Sequence, residues 1–289
     1  MRLARRGVHG VPVLGHYNYK CARPGLRNHS HQGAMEICFL VRGCQTYRVG
    51  NSLYHLKGGD VFVTFPNERH STGGSPEEKG VLYWLVLQFS TGQHRFIELP
   101  RKPAQAMRQA LLGLKSRHFR GSWKMKEHLD AVTRLYHQPA TSLRSVAMVN
   151  QIVAFLLEII ACDRASSSRI LARPLASVFE YIDEHLGEPI SIGQLAAQAG
   201  LSVARFKVRF KRETGMPPGE YVLRKRIKKA SGRLTQNNAT ITEIAYDLGF
   251  SSSQYFATVF KRFTGHNPSS LRMRAKIQRR LLGGVRRLK

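Results

Sequence analysis

Acidic residues are scarce in this sequence. It has 18 Asp and Glu against 46 Lys and Arg, a net charge of +28 over 289 residues. Such an excess repels itself and does not serve folding. It favours an anionic polymer or an anionic surface as partner. Cysteine is also sparse. Cys21, Cys38, Cys44 and Cys162 fall in no CxxC spacing, which fits reduced thiols in a cytosolic protein. Long apolar runs are missing too. The first residues, "MRLARRGVHGVPVLG", are basic but lack the apolar stretch of a signal peptide. The most apolar segment, "SVAMVNQIVAFLLEIIA" (145–161), contains Asn150, Gln151 and Glu158. It falls short of the ~20 clean apolar residues a bilayer needs and reads as a buried or dimer-forming helix. A cytoplasmic protein without a membrane partner is therefore expected.

What is present is enough for two ordinary domains. Hydrophobic residues make up 42%, which supplies real cores. The positive charge is uneven. From Leu201 to Lys289 there are 21 Lys and Arg against four acids, so this third carries +17 of the +28. That concentration is the footprint of a nucleic-acid-binding domain.

Residues from about 11 to 90 read as short strands. "EICFLV", "QTYRV", "SLYHL", "DVFVTF" and "LYWLVLQF" are β-branched and aromatic, and Gly, Asn, Asp and Lys punctuate them. Such spacing suggests a barrel or sandwich. Helical spacing follows at 103–119, 123–138 and 141–162. The polar, small segment "DRASSSRILARP" (163–174) reads as a linker, and everything from Leu175 onward looks helical.

The C-terminal third contains a repeat. "SIGQLAAQAGLS" (191–202) matches "TITEIAYDLGFS" (240–251), and "FKRETG" (210–215) is echoed by "FKRFTG" (260–265). In each copy a Ser or Thr (Ser191, Thr240) caps a short helix. Apolar pairs (Ile192 with Leu195, Ile241 with Ile244) turn inward, and a small Ala (Ala196, Ala245) admits a crossing helix. A Gly (Gly200, Gly249) then makes the turn into a second amphipathic helix. That is a helix-turn-helix, present twice. In the first recognition helix Phe206 and Phe210 should be core, which leaves Ala204, Arg205, Lys207 and Val208 facing a major groove. In the second, Tyr255, Phe256 and Phe260 read as core, and Ser253, Gln254, Ala257 and Thr258 face outward. Gln254 suits adenine, and Arg205 or Lys207 suits guanine. Lys211, Arg212, Lys261 and Arg262 suit phosphates.

These two segments, "IGQLAAQAGLSVARFKVRFKRETGMPPGEYVLRKRIKKA" and "ITEIAYDLGFSSSQYFATVFKRFTGHNPSSLR", resemble the signature of AraC-family transcription regulators over about 100 residues. The resemblance implies two helix-turn-helix units joined by a long helix over roughly 218–235. They enter successive major grooves of double-stranded DNA ~34 Å apart. Gly232 and Arg233 depart from the family pattern in that joining helix. A mid-helix Gly costs about 1 kcal/mol, so a softer helix is expected. The tail "MRAKIQRRLLGGVRRLK" continues past the family's usual end and reads as non-specific phosphate attraction or disorder.

The N-terminal half resembles the cupin double motif. "HSHQGAMEICFLVRG" (29–43) supplies His29, His31 and Glu36, and "GDVFVTFPNERH" (59–70) supplies His70. Phe65 and Asn67 stand where enzymatic cupins usually have Pro and Gly. On neighbouring barrel strands the four residues would converge. Three imidazoles and a carboxylate suit a divalent transition metal such as Zn, Mn, Fe, Ni or Cu. By resemblance, regulators often keep this barrel and bind an organic ligand without metal. Candidate pocket residues are Tyr17, Tyr19, Arg23, His29, His31, Glu36, His70 and one of the neighbours Tyr83 and Trp84. Aromatic faces stack on sugar rings, while Arg, His and Glu bond hydroxyls.

The expected architecture is therefore α+β in two domains. Residues 1–162 form a cupin-like ligand-binding and dimerisation domain, with helices 103–162 pairing two subunits, as the resemblance implies, or packing within one. Residues 163–174 link it to a double helix-turn-helix at 175–275, and 276–289 form a basic tail. The expected function is sequence-specific transcription regulation, by resemblance activation, in response to a small molecule such as a sugar. RNA polymerase is then a further partner. The alternative is a metal-dependent cupin isomerase or dioxygenase with an accessory basic domain. It leaves the duplicated helix-turn-helix unexplained.

Overall fold

A computed structural model describes residues 1–89, 96–166, 175–236 and 239–285. It divides into two compact units, Met1–Tyr19 with Gly25–Leu171, and Lys20–Pro24 with Ala172–Lys289. The first is built on an antiparallel sheet. Its strands are β1 (Val13–Tyr19), β2 (Ala34–Val49), β3 (Ser52–Lys57), β4 (Asp60–Thr64), β5 (His70–Ser71), β6 (Gly80–Gln88) and β7 (His118–Arg120). The order is β1-β6-β2-β4-β7, with β3 and β5 also on β2. The expected breaks at "RGC" do not occur, so 36–41 and 45–49 are one strand. The chain bends instead. Register shifts between Leu40 and Arg42, and Gly43 takes φ 106. A bulge beside a glycine lets one long strand serve two curved surfaces.

Side-chain alternation along β2 separates two cores. Met35, Ile37, Phe39 and Val41 join the core that includes residues of helices α1 (Arg101–Leu112), α2 (Lys124–Tyr136) and α3 (Ser142–Ser166). Cys38 and Leu40 face the other side, where they pack with Tyr17, Tyr47, Leu56, Phe62 and Leu82. By the same alternation Glu36 lies on this inner face.

Two boundaries differ from the sequence reading. The helix expected over 103–119 ends at Leu112, and residues 118–120 are a strand. Asp60, buried, is the cause: His118 Nε2 lies 3.0 Å and Arg120 Nη1 3.2 Å from its carboxylate, which holds β7 on β4. The linker expected over 163–174 begins inside α3. Buried Asp163 accepts from the backbone N–H groups of Lys115 and Ser116 at 3.0 and 2.9 Å, so that turn stays helical. The rest of that linker, 167–174, lies outside the described residues. By length and composition alone, Ser142–Ala165 could cross a membrane, with mean hydropathy 1.9. Here Met148, Ile152, Phe155, Leu156 and Ile159 are buried in the core, which accounts for its apolar character.

The second unit is helical: α4 (Ala176–Glu184), α5 (Ile192–Gln198), α6 (Val203–Thr214), α7 (Pro218–Gln236), α8 (Ile241–Asp247), α9 (Ser253–Thr264) and α10 (Pro268–Val285). It has two cores. Val178, Leu195, Phe206, Phe210 and Val222 form one, and Leu234, Ile244, Phe256, Val259 and Phe260 form the other. Helix α7 contributes to both and joins them. Disorder was one expectation for the tail, but α10 continues to Val285. Its run of Leu, Arg, Met, Ala, Lys and Gln favours helix. Residues 286–289 lie outside the described residues.

Candidate functional sites

The four residues singled out in the barrel come together. The ligating atoms of His29, His31, Glu36 and His70 all lie within 4.8 Å of one another. His29 and His70 face each other across a backbone bridge, with N–H···O bonds of 3.0 and 2.8 Å. His70 is 1% exposed and Glu36 9%. Glu36 Oε2 stands 2.9 Å from His70 Nε2 and 3.7 Å from His31 Nε2. Burial alone would push the Glu36 carboxyl up. The two imidazoles outweigh it and hold the group at about 2. Burial lowers the His70 value, but Glu36 and the Glu68 carbonyl raise it further, for a net rise.

Asn67, noted in the sequence only as a departure from the cupin pattern, braces the cluster. It adopts φ 67, the left-handed region that Asn tolerates and Gly prefers. Its N–H donates to His31 O at 3.1 Å, and its Oδ1 accepts from Gly33 N at 2.9 Å. It therefore fixes the loop that carries His31. The signal was available: an Asn in place of the cupin Gly preserves the backbone conformation.

The aromatic candidates divide between the two faces. Tyr83 is buried in the helix-facing core and donates to Asp130 Oδ1 at 2.5 Å. Trp84 lies on the inner face, 6.2 Å from Tyr17. Its indole covers Gly15, where a Cβ would fall 2.0 Å from the ring. Tyr17 and Tyr19 stack at 4.1 Å. The Tyr17 hydroxyl is buried without a hydrogen-bond partner, and burial pushes its pKa up. A phenol held this way is an unsatisfied polar group facing an apolar wall. Arg23 is exposed in the Lys20–Pro24 segment, which groups with the second unit.

In the second unit the repeat extends to individual hydrogen bonds. Ser191 and Gln194 form a capping box on α5, and Thr240 and Glu243 form the same box on α8. Ser202 and Ser252 cap α6 and α9. Thr214 donates to Phe210 O and contacts Met216 O, and Thr264 does the same with Phe260 and His266. Both recognition helices end on a left-handed Gly, Gly215 and Gly265.

Both recognition helices carry exposed residues. Ala204, Arg205, Lys207, Val208, Lys211 and Arg212 are exposed on α6, while Phe206 and Phe210 are buried. On α9, Gln254, Thr258 and Lys261 are exposed, and Ser253, Ala257 and Arg262 are half-buried. Thr258 donates back to Gln254 O at 3.0 Å, so its hydroxyl hydrogen is engaged within the helix. Tyr255 corrects the sequence reading. It is 46% exposed rather than core, because Phe250 and Phe256 already fill that corner. It extends the outward face of α9.

Arg226 was not singled out from the sequence. It sits midway along α7 and is buried. Its guanidinium donates to Leu186 O at 2.9 Å, Glu188 O at 2.6 Å and Gly249 O at 2.9 Å. One side chain thus ties the loop after α4 to the turn of the second helix-turn-helix.

Comparison with known proteins agrees with both halves. Residues 20–152 match the AraC-like ligand binding domain, and residues 195–274 match a helix-turn-helix domain. The chain is similar to the HTH-type transcriptional activator RhaS of Pectobacterium carotovorum subsp. carotovorum (strain PC1), 26% identical over 247 residues, covering 83% of this chain and 85% of that one. It is similar to RhaS of Escherichia fergusonii, 25% identical over 252 residues, covering 84% and 86%. A transcriptional regulator with an AraC-type DNA-binding domain from Chromobacterium violaceum is 25% identical, covers 35% of this chain and 91% of its own, and superposes with a TM-score of 0.34, too loosely to add to the fold described above. The fold and the two sites define a DNA-binding regulator with a ligand-binding N-terminal domain. The chain belongs to the AraC family of transcription regulators.

Proposed function

We propose that the protein is a cytoplasmic, homodimeric transcription activator switched by a carbohydrate or carbohydrate derivative bound on the inner face of the barrel. One observation carries the DNA half. Two helix-turn-helix units with matching caps and turns each carry exposed residues on the second helix, and basic charge concentrates in that third. Arg205, Lys207 and Gln254 read base edges, and Lys211, Arg212, Lys261 and Arg262 hold phosphates. Residues 175–275 act as the DNA-binding domain, and 276–289 add phosphate attraction.

The sugar reading is supported by stacked Tyr17 and Tyr19, by Trp84, and by the unsatisfied Tyr17 hydroxyl. Pairing of subunits along α3 is supported by an exposed stripe, Leu143, Val146, Asn150 and Leu157, spaced for one helical face. The relatives' names support activation, with RNA polymerase as the further partner.

The test is selection of a binding site from random DNA with the full chain, followed by affinity for the selected and scrambled sites. A preference of roughly 10³ or more is expected of a specific regulator. Equal affinity would overturn the reading. A panel of mono- and disaccharides and sugar acids, scored by thermal shift, then tests the effector class.

A further inference from the structure

We propose that Glu77 belongs to the ligand site of the inner face and selects an effector that carries a protonated amine, an amino sugar rather than a neutral sugar or a sugar acid. The inference rests on the reading of that face as a carbohydrate site and narrows its ligand.

Glu77 lies in the loop between β5 and β6, and that loop is held from both sides. Thr72, buried, donates to Ser75 O at 2.5 Å. Gln45, 1% exposed on β2, donates to Pro76 O at 3.3 Å and accepts from Glu78 N at 3.0 Å. These two bonds fall on either side of Glu77 and fix its backbone. Gln45 stands opposite Leu56 and two residues from Tyr47, both of the inner core, so the loop is tied to that face. Three residues after Glu77, Gly80 pairs with Tyr19, which stacks on Tyr17. The Glu77 charge acts on the Tyr17 hydroxyl and on the Cys38 thiol, so its carboxylate stands toward the same wall.

That carboxylate is half-buried and, among the described residues, makes no hydrogen bond or ion pair. Burial pushes its pKa up, and no cation of the chain offsets the rise. In a sequence with 46 Lys and Arg against 18 acids, an acid drawn from water without a cation is an exception. The Tyr17 hydroxyl, 5% exposed, lacks a partner as well. Two polar groups are thus left unsatisfied at one place, and both oxygens can accept.

A neutral sugar hydroxyl has one proton to offer them. A sugar acid brings a second negative charge. An ammonium group has three N–H donors and a positive charge, and it can serve the phenol oxygen and the carboxylate together. The stacked Tyr17 and Tyr19 rings, with Trp84 6.2 Å from Tyr17, add aromatic faces that attract a cation. Glu36, the other acid of the inner face, is already engaged by His70 at 2.9 Å.

The experiment is isothermal titration calorimetry of the untagged full-length protein, at a pH below the pKa of the amine. The ligands are matched sets: glucose, glucosamine, N-acetylglucosamine and glucuronate, with the galactose and mannose counterparts. In at least one set the amino sugar should bind roughly tenfold more tightly than its neutral parent, the worth of one charge-assisted hydrogen bond. N-acetylation, which removes the charge, should abolish the gain. Glu77→Gln should bring the amino sugar down to the level of its parent with unchanged circular dichroism, because the amide keeps the size and Gln45 still holds the loop. Tyr17→Phe should weaken the amino sugar by less. Glu127→Gln, exposed on α2, should leave the preference intact. Amino sugars that bind no better than their parents in every set, or a preference that survives Glu77→Gln, would overturn the proposal and leave the carbohydrate reading standing. No binding in any set would overturn both.

Discussion

The two helix-turn-helix units share a skeleton and differ in what covers it. Their capping boxes, serine caps, Thr–carbonyl bonds and left-handed C-terminal glycines correspond one to one. Their recognition helices do not. Helix α6 carries Arg205, Lys207, Arg209, Lys211 and Arg212, with Arg209 paired to Glu213 at 3.1 Å. Helix α9 carries only Lys261 and Arg262, and its other outward positions are neutral. The turns differ as well. Gly200 (φ +63) and Gly249 (φ +71) share a conformation, but a Cβ at 200 would meet nothing within 4 Å. At 249 it would meet Arg226 Nη2 at 2.7 Å and Gly187 O at 2.9 Å. The duplication has kept the backbone bonds that define the motif. The DNA face and the seam with α7 have diverged.

Arg226 is where the seam can be broken outright. Arg226→Leu removes the donors of three carbonyls, those of Leu186, Glu188 and Gly249. Each buried group left unpaired costs about 1–3 kcal/mol, so three of them should cost at least about 3 kcal/mol. The measurement is urea unfolding of the full chain. Both tryptophans, Trp84 and Trp123, lie in the first unit, so fluorescence follows that unit, while circular dichroism follows the helices of both units and reads the second by difference. The dichroism midpoint should fall and the fluorescence midpoint should not. A shift under about 1 kcal/mol would mean that water replaces the guanidinium without cost.

The glycines sharpen the contrast. Gly200→Ala should cost about 1 kcal/mol, the strain of a left-handed Ala. Gly249→Ala should cost about 3 kcal/mol, because strain is joined by overlap with a side chain and a carbonyl that are themselves held. Equal losses would show that Arg226 yields freely and that the seam is soft.

Much of this was legible in the sequence. The repeat at 191–202 and 240–251 fixes caps, turn and inward faces by local rules, so α5, α6, α8 and α9 and their exposed positions follow. His29, His31, Glu36 and His70 were legible because the spacing of the two motifs brings them together around the paired strands β2 and β5. What was not legible depends on distant partners. The strand at 118–120 exists because Asp60 recruits His118 and Arg120, nearly 60 residues away in sequence. Tyr255 reads as core by helical spacing alone, and only the crowding of Phe250 and Phe256 expels it. Arg226 resembles its basic neighbours, and nothing local shows that it is buried. Which of Tyr83 and Trp84 turns inward depends on Gly15 opening space across the sheet.

The charge difference predicts different roles on DNA. Arg205→Ala and Gln254→Ala should each weaken the selected site by about 1–3 kcal/mol and relax preference at one base pair. Lys261→Ala should weaken all sequences alike and lower the salt slope by about 1. Lys207→Ala with Lys211→Ala on α6 should lower it by about 2, since each phosphate contact contributes roughly 0.9. Helix α6 would then supply most of the electrostatic affinity and α9 would read mainly by hydrogen bonds and shape. If Gln254→Ala lowers random and selected DNA equally, the outward face of α9 has been assigned wrongly.

The smallest effect expected is a gain. Gly232 lies in α7 between the core residues Ala230 and Leu234, and a softer joining helix is the expectation on that account. The helix is nonetheless continuous from Pro218 to Gln236, and Arg233 anchors that stretch to Asp247 at 2.6 Å. Gly232 has no left-handed φ, and a Cβ there would meet nothing within 4 Å. Neither conformation nor space requires glycine. Gly232→Ala should therefore stabilise the helical unit by about 1 kcal/mol, through helix propensity and a less flexible unfolded chain. The same unfolding experiment reads it, as a higher dichroism midpoint with unchanged fluorescence. The two recognition helices are spaced by α7, so a stiffer α7 also leaves less disorder to lose on binding, and affinity for the selected site should rise slightly. A loss of affinity with the expected gain in stability would mean that the helix must bend at Gly232 for both units to reach the groove.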